Sequence, residues 1–214
     1  MKPVIAFLLC CLLVDQLTAQ RTQIWCGTLI DGVSPIARKE MTVVLEKNRI
    51  VAIENGYRKA ATGEKIVDLR TATVMPGWID MHVHLESETN PNQYLQHFTQ
   101  NPADIAFRSV RFADTTLMTG FTTVRDLGGT GVNISLRNAI NAGLLRGPRI
   151  YTAGKSIATT GGHADPTNGY RQDLMGDPGP ADGVVNGPED CRKAVRQRYK
   201  DGADLIKVTA TGGV

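Results

Sequence analysis

Two histidines lie one residue apart in the stretch "PGWIDMHVHLE", residues 76–86 of the chain. The run WIDMHVH is typical of a β-strand, and residues i and i+2 of a strand point to the same face. We therefore expect Asp80, His82 and His84 to share one face. The residues expected on the other face, toward covering helices, are Ile79, Met81 and Val83. Two imidazoles that converge from one strand end suit a metal ion, although most H-x-H pairs are structural or lie at the surface.

Lys207 lies in "DLIKVTA", an apolar run that is expected to form a strand buried on both faces. A lysine at a strand end ordinarily reaches solvent or an acidic partner. Burial instead disfavours the charged ammonium, and the neutral amine can take up carbon dioxide to form a carbamate. A carbamate is a carboxylate-like anion that can bridge two divalent metal ions. Because His82 and His84 lie on another strand of the same predicted sheet, we favour the carbamate interpretation.

His163 lies in the segment "TTGGHADP", whose glycines let the backbone approach a ligand closely. We expect His163 to be a substrate-binding residue, and the alternative is a solvated loop histidine. Arg125 and Asp126 end the predicted strand FTTVRDL near the same rim. There they could orient ligands or substrate, or only tie strand ends together.

The elements that would position these residues change character at Pro76-Gly77. Upstream, short strand-like runs are separated by turns, one of them a hairpin-like turn at Lys47-Asn48, which predicts part of a small β-sandwich. Downstream, strand-like runs alternate with helical runs, which predicts an α/β fold with a parallel sheet and helical crossovers. The predicted strands span residues 78–84, 121–127, 149–154 and 203–213. The long stretch 155–186 follows a strand end, where α/β barrels carry their active sites.

The first twenty residues have the order of regions found in a secretory signal peptide. Lys2 precedes an apolar run over residues 4–14, which is too short to span a bilayer, and polar residues follow. We expect cleavage near Ala19 or Gln20 and hence a secreted or periplasmic protein, with no membrane segment after removal of the signal. A buried N-terminal strand or helix is the alternative.

The composition is that of an ordinary soluble globular protein. The 214 residues are 42% hydrophobic and 21% charged, with a net charge of +3. So small a charge, without a basic block, argues against nucleic-acid binding. After removal of the signal peptide, Cys26 and Cys191 are too few for a disulfide framework, and the sequence leaves their pairing open.

Four motifs in combination resemble the amidohydrolase superfamily: "VMPGWIDMHVHLE", "GFTTVRDLGG", "GPRIYTAG" followed by "TTGGHAD", and "DGADLIKVTATGG". They are most similar to its imidazolonepropionase-related branch, which includes Xaa-Pro dipeptidases and prolidase-type carboxypeptidases. The resemblance covers residues 24–214. It implies that residues 76–214 are the first half, strands one to four, of a TIM-type (β/α)8 barrel. Residues 21–75 would be the N-terminal part of a β-sandwich domain, after a signal peptide over residues 1–20.

The resemblance also implies a metal centre, with two zinc ions in a complete site. His82 and His84 would bind the more buried metal, and Lys207, carboxylated by carbon dioxide, would bridge both. A hydroxide between the metals would attack an amide carbonyl of the substrate. The further histidines and the catalytic aspartate of the superfamily come from later strands, beyond Val214. We therefore expect no catalytic residue within this chain.

The function implied is that of a metal-dependent hydrolase that cleaves a C–N bond in a Xaa-Pro dipeptide or an N-acyl amino acid. The chain would be a fragment of that hydrolase, inactive alone. Two alternatives stay open: a truncated, non-catalytic half-barrel, and a single-metal imidazolone hydrolase or deaminase, which would not need Lys207. The expected partner is a small-molecule or dipeptide substrate. Homo-oligomerisation stays open, as does replacement of zinc by manganese, cobalt or iron.

Overall fold

The computed structural model of the protein describes residues 21–212. The expected signal peptide, residues 1–20, lies outside the described residues. The described chain divides into two compact units, residues 21–76 and residues 77–212. Across this described part, no helix combines the length and the apolar character needed to cross a membrane.

The N-terminal unit contains a four-stranded sheet. Its strands are β1 (Arg21–Leu29), β2 (Arg38–Glu46), β3 (Arg49–Asn55) and β4 (Lys65–Val74). They lie in the order β3-β2-β1-β4, with β1 parallel to β4 and the other pairs antiparallel. The hairpin predicted at Lys47-Asn48 joins β2 to β3, and Lys47 adopts a left-handed φ of 54° in this turn.

The close pairing of β1 with β4 shapes the interior of this unit. The register shifts between Cys26 and Thr28, and a Cβ on Gly27 would lie 2.1 Å from the carbonyl oxygen of Arg70, so only glycine fits there. The Arg70 guanidinium lies 5.2 Å from the ring centroid of Trp25, a cation–π contact. The buried apolar core of the unit comprises Cys26, Leu29, Met41 and Val43.

The C-terminal unit has a three-stranded parallel sheet in the order β5-β6-β7. Its strands are β5 (Trp78–Val83), β6 (Phe121–Asp126) and β7 (Arg149–Thr152). Its helices are α1 (Gln93–Thr99), α2 (Pro102–Met118), α3 (Val132–Asn141), α4 (Gln172–Met175) and α5 (Pro188–Asp201). Strands alternate with helices as the sequence predicts, while α1 and α4 are short helices in segments where no helix is predicted.

Capping residues set the ends of the longer helices, and apolar packing holds them on the sheet. The Asp104 carboxylate accepts the backbone N–H of Asn101 at 2.8 Å where α2 begins. α5 begins at Pro188 and ends before Gly202, which has a left-handed φ of 91°. Helices α2 and α3 pack against β6 and β7. The buried core between them comprises Leu85, Ala113, Val124, Leu136 and Ile150.

The prediction of a fourth strand over residues 203–213 is wrong for the part that the structure describes. Residues 203–212 pair with the segment after β7 only through an isolated bridge between Val208 and Ile157. At Asp204 the N–H donates to the Thr152 carbonyl at 2.8 Å, and the carboxylate accepts the Thr152 N–H at 2.9 Å. A side chain therefore takes the place of a second ladder bond, and no regular strand forms.

The expectation that helices cover the outer face of β5 holds for Val83, which packs against the core between α2, α3 and the sheet, but it is wrong for Ile79 and Met81. Ile79 and Met81 are 61% and 52% exposed. The helices that pack most closely on this sheet, α2 and α3, lie against β6 and β7, which leaves Ile79 and Met81 uncovered within the described residues.

Candidate metal centre

The histidine pair lies at the carboxyl end of β5. His82 is within the strand, and His84 follows its last residue, Val83. The two ring centroids are 5.4 Å apart, with an angle of 64° between the ring planes. A zinc-bound imidazole has its centroid about 3.2 Å from the ion, so two such rings at a tetrahedral angle would lie about 5.2 Å apart. The observed separation therefore suits two ligands of one metal ion.

The His84 ring is oriented by a backbone carbonyl. Its Nδ1 lies 2.9 Å from the carbonyl oxygen of Gly128. Because a carbonyl oxygen only accepts hydrogen bonds, Nδ1 carries the proton and the lone pair of Nε2 is free to bind a metal. A Cβ on Gly128 would lie 2.4 Å from Ser156 Oγ and 3.5 Å from His84 Cε1. A glycine at this position thus lets its carbonyl approach the ring.

The electrostatics around His82 favour its neutral, metal-binding form. His82 is an exposed residue, but partial desolvation lowers the pKa of its imidazole. Electrostatic interactions with Lys207, His84 and Arg125 lower this pKa further, and Asp80 opposes them. The charge of Lys207 is therefore close enough to act on His82.

Lys207 is half-buried, so the prediction of a strand buried on both faces is wrong here. Its neighbours Ile206 and Val208 are 41% and 57% exposed, because a single bridge leaves this segment open on one side. The backbone is nevertheless fixed. The Lys207 carbonyl accepts the N–H of Ile157 at 2.8 Å, and the N–H of Thr209 donates to the Ile157 carbonyl at 2.9 Å.

His163 is exposed, and its backbone N–H donates a hydrogen bond to the Thr211 carbonyl at 3.4 Å. The turn that carries it is built around the buried Asp165 carboxylate, which accepts the N–H groups of Gly161 and Thr167, both at 2.9 Å, and the Thr167 hydroxyl at 2.7 Å. Burial acts to raise the pKa of Asp165, but these hydrogen bonds outweigh it and lower the pKa. His163 therefore lies beside the segment that follows Lys207.

The long loop, residues 155–186, is anchored by a buried arginine of α5. Arg198 is only 1% exposed. Its Nη2 donates to the Ala181 carbonyl at 2.6 Å, and its Nη1 donates to the Lys155 carbonyl at 3.4 Å. A Cβ on Gly183 would lie 2.1 Å from the Ser156 carbonyl oxygen, so the two ends of the loop run in close contact.

Three buried polar residues hold the segments that follow β5 and β6, next to His84 in the chain: Glu86, Asp126 and Asn133. We call them the strand-end cluster. The Glu86 carboxylate accepts the N–H groups of Thr130 at 2.6 Å and Asn133 at 2.7 Å, at the start of α3. A Cβ on Gly129 would lie 2.5 Å from this carboxylate. Glu86 thus joins the segment after β5 to the first turn of α3.

The Asp126 carboxylate ties the ends of β5 and β6 together. Its carboxylate accepts the N–H of Leu85 at 3.0 Å, the Asn133 amide at 3.1 Å and the N–H of Gly128 at 3.3 Å. Burial raises the pKa of Asp126, and these hydrogen bonds offset only part of the effect. Its neighbour Arg125 is half-buried, with an Nε atom that has no hydrogen-bond partner among the described residues.

Sequence reasoning missed Glu86 and Asn133. Glu86 continues the i, i+2 alternation of His82 and His84, which was an available signal. Sequence reasoning also assigned no role to a group of aromatic rings on α1 and on the long loop: Tyr94, His97, Phe98 and Tyr170. The rings of Tyr94 and Tyr170 stack with centroids 4.9 Å apart.

The donor set of the candidate centre is small. Within residues 21–212, no three or more His, Cys, Asp and Glu side chains group together in a way that could hold a metal ion. The residues that fit a metal are His82 and His84, by their ring separation and by the orientation of His84. Cys26 and Cys191 do not contribute, since they are free thiols, one buried and one exposed.

Residues 73–214 match the model of the amidohydrolase family. The chain belongs to this family. Ochratoxinase of Aspergillus niger is 31% identical over 209 residues, which cover 92% of this chain and 43% of that protein. The solved structure of ochratoxinase has a TM-score of 0.73 and 28% identity over 92% of this chain and 48% of that chain.

Two peptidase structures are also similar to this chain. A Xaa-Pro dipeptidase with methionine bound in its active site has 47% identity and a TM-score of 0.83, over 88% of this chain and 47% of that chain. A prolidase in complex with N-methylphosphonate-L-proline has 34% identity and a TM-score of 0.74, over 88% of this chain and 46% of that chain. The mixed α/β fold is thereby confirmed. The chain spans somewhat less than half the length of these relatives.

Proposed function

We propose that the protein is a metal-dependent amidohydrolase that cleaves the amide bond of a Xaa-Pro dipeptide or an N-acyl amino acid. The observation that carries this proposal is the pair of imidazoles, His82 and His84, at ligand separation on one strand end. The charge of Lys207 acts on His82. The similarity to a Xaa-Pro dipeptidase, a prolidase and an ochratoxinase supports cleavage of a C–N bond.

The residues of this chain would hold the metal, and the remaining metal ligands and the catalytic aspartate would come from other segments. His82 and His84 would bind a divalent ion through neutral imidazoles, and His84 is already oriented by Gly128. Lys207, as a carbamate, would bridge this ion and a second one. Bound zinc would supply a Lewis acid and an activated water at neutral pH. His163 would face the substrate from the long loop.

The sheet β5-β6-β7 with its helices would be the start of a (β/α)8 barrel, since its parallel order and crossovers suit that fold. The N-terminal sheet would be part of a β-sandwich domain. The signal-like residues 1–20 support export to the periplasm or the medium, where the protein would meet peptides or other small amides. No feature of the described chain favours nucleic acid as a partner.

A metal count combined with an activity screen tests the proposal. In the full-length protein, inductively coupled plasma analysis would count metals per chain, and Xaa-Pro dipeptides and N-acyl amino acids would be screened for hydrolysis. We expect about two metals and amide cleavage. Lys207→Ala should lose metal, and its activity should fall by more than about 100-fold. The matched control is Lys193→Ala, at an exposed position of α5, which should behave like the parent.

Labelling with ¹³C-bicarbonate tests the carbamate directly. A carbamate carbon signal should appear in the parent and in Lys193→Ala but not in Lys207→Ala. One metal, no carbamate signal and an active Lys207→Ala variant would indicate a single-metal hydrolase. A full-length protein that binds no metal and cleaves nothing would contradict the proposal and indicate a non-catalytic member of the family.

A further inference from the structure

The hydrogen bond between His84 and Gly128 joins two separate backbone segments, one after β5 and one after β6. For the bond to form, both segments must be held in place. The Asp126 carboxylate holds both of them. Its Oδ2 accepts the N–H of Leu85, the residue next to His84, at 3.0 Å, and its Oδ1 accepts the N–H of Gly128 at 3.3 Å.

This carboxylate acts where the backbone ladder between β5 and β6 ends. Val83 is paired with Asp126, and the N–H of Leu127 donates to the Val83 carbonyl at 3.1 Å. Leu85 lies two residues after Val83, the last residue of β5. Its N–H donates to the Asp126 carboxylate instead of to a backbone carbonyl. A side chain thus continues the pairing past the strand end, which is where His84 lies.

The orientation of the Asp126 carboxylate is itself fixed. The Asn133 amide donates to it at 3.1 Å, and the Asn133 N–H is held by Glu86 at 2.7 Å. The Asp126 side chain is fully buried, and all three of its hydrogen-bond donors are N–H groups of neutral residues. A carboxylate in such a place accepts only, so an amide of the same shape would bring an NH2 group against an N–H donor.

From this arrangement we infer that Asp126 is a positioning residue for metal binding, which fixes the ring orientation and the protonated nitrogen of His84 through Leu85 and Gly128. The inference rests on the proposed metal site and extends it to a residue that touches neither metal nor substrate. If the hydrogen bonds of Asp126 only stabilised the fold, weakening them would leave the orientation and the tautomer of the His84 ring unchanged. Partners that orient metal-binding histidines typically contribute 10–100-fold to metal affinity.

The experiment compares Asp126→Asn with Asp104→Asn in the full-length protein. Asp104 also accepts a backbone N–H, but it does so at the start of α2, away from the histidine pair. The Zn²⁺ dissociation constant would be measured at pH 7 by competition with a chelator. We expect binding to be about 10–100-fold weaker in Asp126→Asn and unchanged in Asp104→Asn.

Histidine-selective ¹⁵N NMR of the metal-free protein gives a second readout. In the parent, His84 should be a single tautomer with the proton on Nδ1, and in Asp126→Asn it should be a mixture. Unchanged zinc affinity and a single tautomer in the variant would overturn the inference. So would a parent protein with the proton on Nε2, a result that needs no folded variant. If the parent binds no zinc, the proposed function fails, while the tautomer still tests the role of Asp126.

Discussion

Asp126 in the strand-end cluster and Asp165 in the long loop are both buried aspartates that accept three hydrogen bonds. Their environments shift the carboxyl pKa in opposite directions. For Asp126, which is fully buried, burial raises the pKa more than the hydrogen bonds lower it. For Asp165, which is 7% exposed, burial also acts to raise the pKa, but the hydrogen bonds prevail and lower it.

The difference shows that the two regions use the same residue type in different ways. In the long loop, an ionised carboxylate stabilises a turn that has little apolar packing of its own. In the strand-end cluster, an ionised carboxylate is unfavourable where it lies, so its presence is explained better by the geometry that it imposes than by stability.

Removal of Glu86 should have the largest effect. Glu86→Ala leaves the buried N–H of Asn133 and the partly buried N–H of Thr130 without their acceptor, which should lower the free energy of unfolding by about 2–4 kcal/mol. Urea unfolding measures this change. Glu88→Ala, at an exposed position two residues away, is the control and should change stability by less than about 0.5 kcal/mol. Equal losses of stability in the two variants would mean that the strand-end cluster does not contribute more to stability than an exposed residue does.

Removal of the Arg198 anchor should have a smaller effect, confined to the long loop. Arg198→Met takes the donors away from the carbonyls of Ala181 and Lys155, which should lower the free energy of unfolding by about 1–2 kcal/mol. Hydrogen exchange should become faster in residues 155–186 and stay unchanged in the strand-end cluster. Arg196→Met, at an exposed position of the same helix, is the control. Faster exchange in both regions would mean that they are one cooperative unit.

The two aspartates should give opposite pH dependences of stability. The lowered pKa of Asp165 adds stability above about pH 4 that is lost as the pH falls through the folded-state value. The raised pKa of Asp126 favours the folded state below about pH 4, and this contribution is lost as the pH rises through the folded-state value. From pH 7 to pH 3, the stability advantage of the parent over Asp165→Asn should therefore shrink.

Over the same range, the stability of the parent relative to Asp126→Asn should grow. Urea unfolding of the three proteins at pH 3, 5 and 7 measures both trends. Each substitution removes one titrating group, so the difference from the parent isolates that group. Trends of the same sign for both variants would contradict the contrast between the two regions.

An exposed ion pair should have the smallest effect. Arg192 contacts Glu189 on the surface of α5, where both side chains are more than half exposed. Arg192→Ala should change the free energy of unfolding by less than about 0.5 kcal/mol, because exposed pairs are screened by water and salt. Thermal unfolding in low and high salt measures the change. A loss as large as that of Arg198→Met would show that charge, and not burial, decides which arginines of α5 matter.

The sequence predicts the parts of this molecule that depend on local patterns. The i, i+2 spacing places His82 and His84 on one side of a strand end, and the Pro188 and Gly202 signals mark the ends of α5. The alternation of strands and helices after Pro76 predicts the α/β class. Each of these features is decided by residues within one turn or one strand.

The parts that the sequence does not predict depend on long-range contacts. An apolar run indicates a strand at residues 203–213, but pairing at Asp204 uses a side chain, and the run forms only a bridge. The strand-end cluster joins Glu86 to residues 44 and 47 positions away, and no local pattern shows such a contact. The proposed roles of Lys207 and His163 remain predictions.

Trp25 lies in the N-terminal unit, and Trp78 begins the first strand of the C-terminal unit. These are the two tryptophans of the 214-residue chain. Each unit therefore carries its own intrinsic fluorophore. Replacing one of them with phenylalanine would let emission report on the other unit alone, so denaturation of the two single-tryptophan variants would show whether the units unfold together or one after the other.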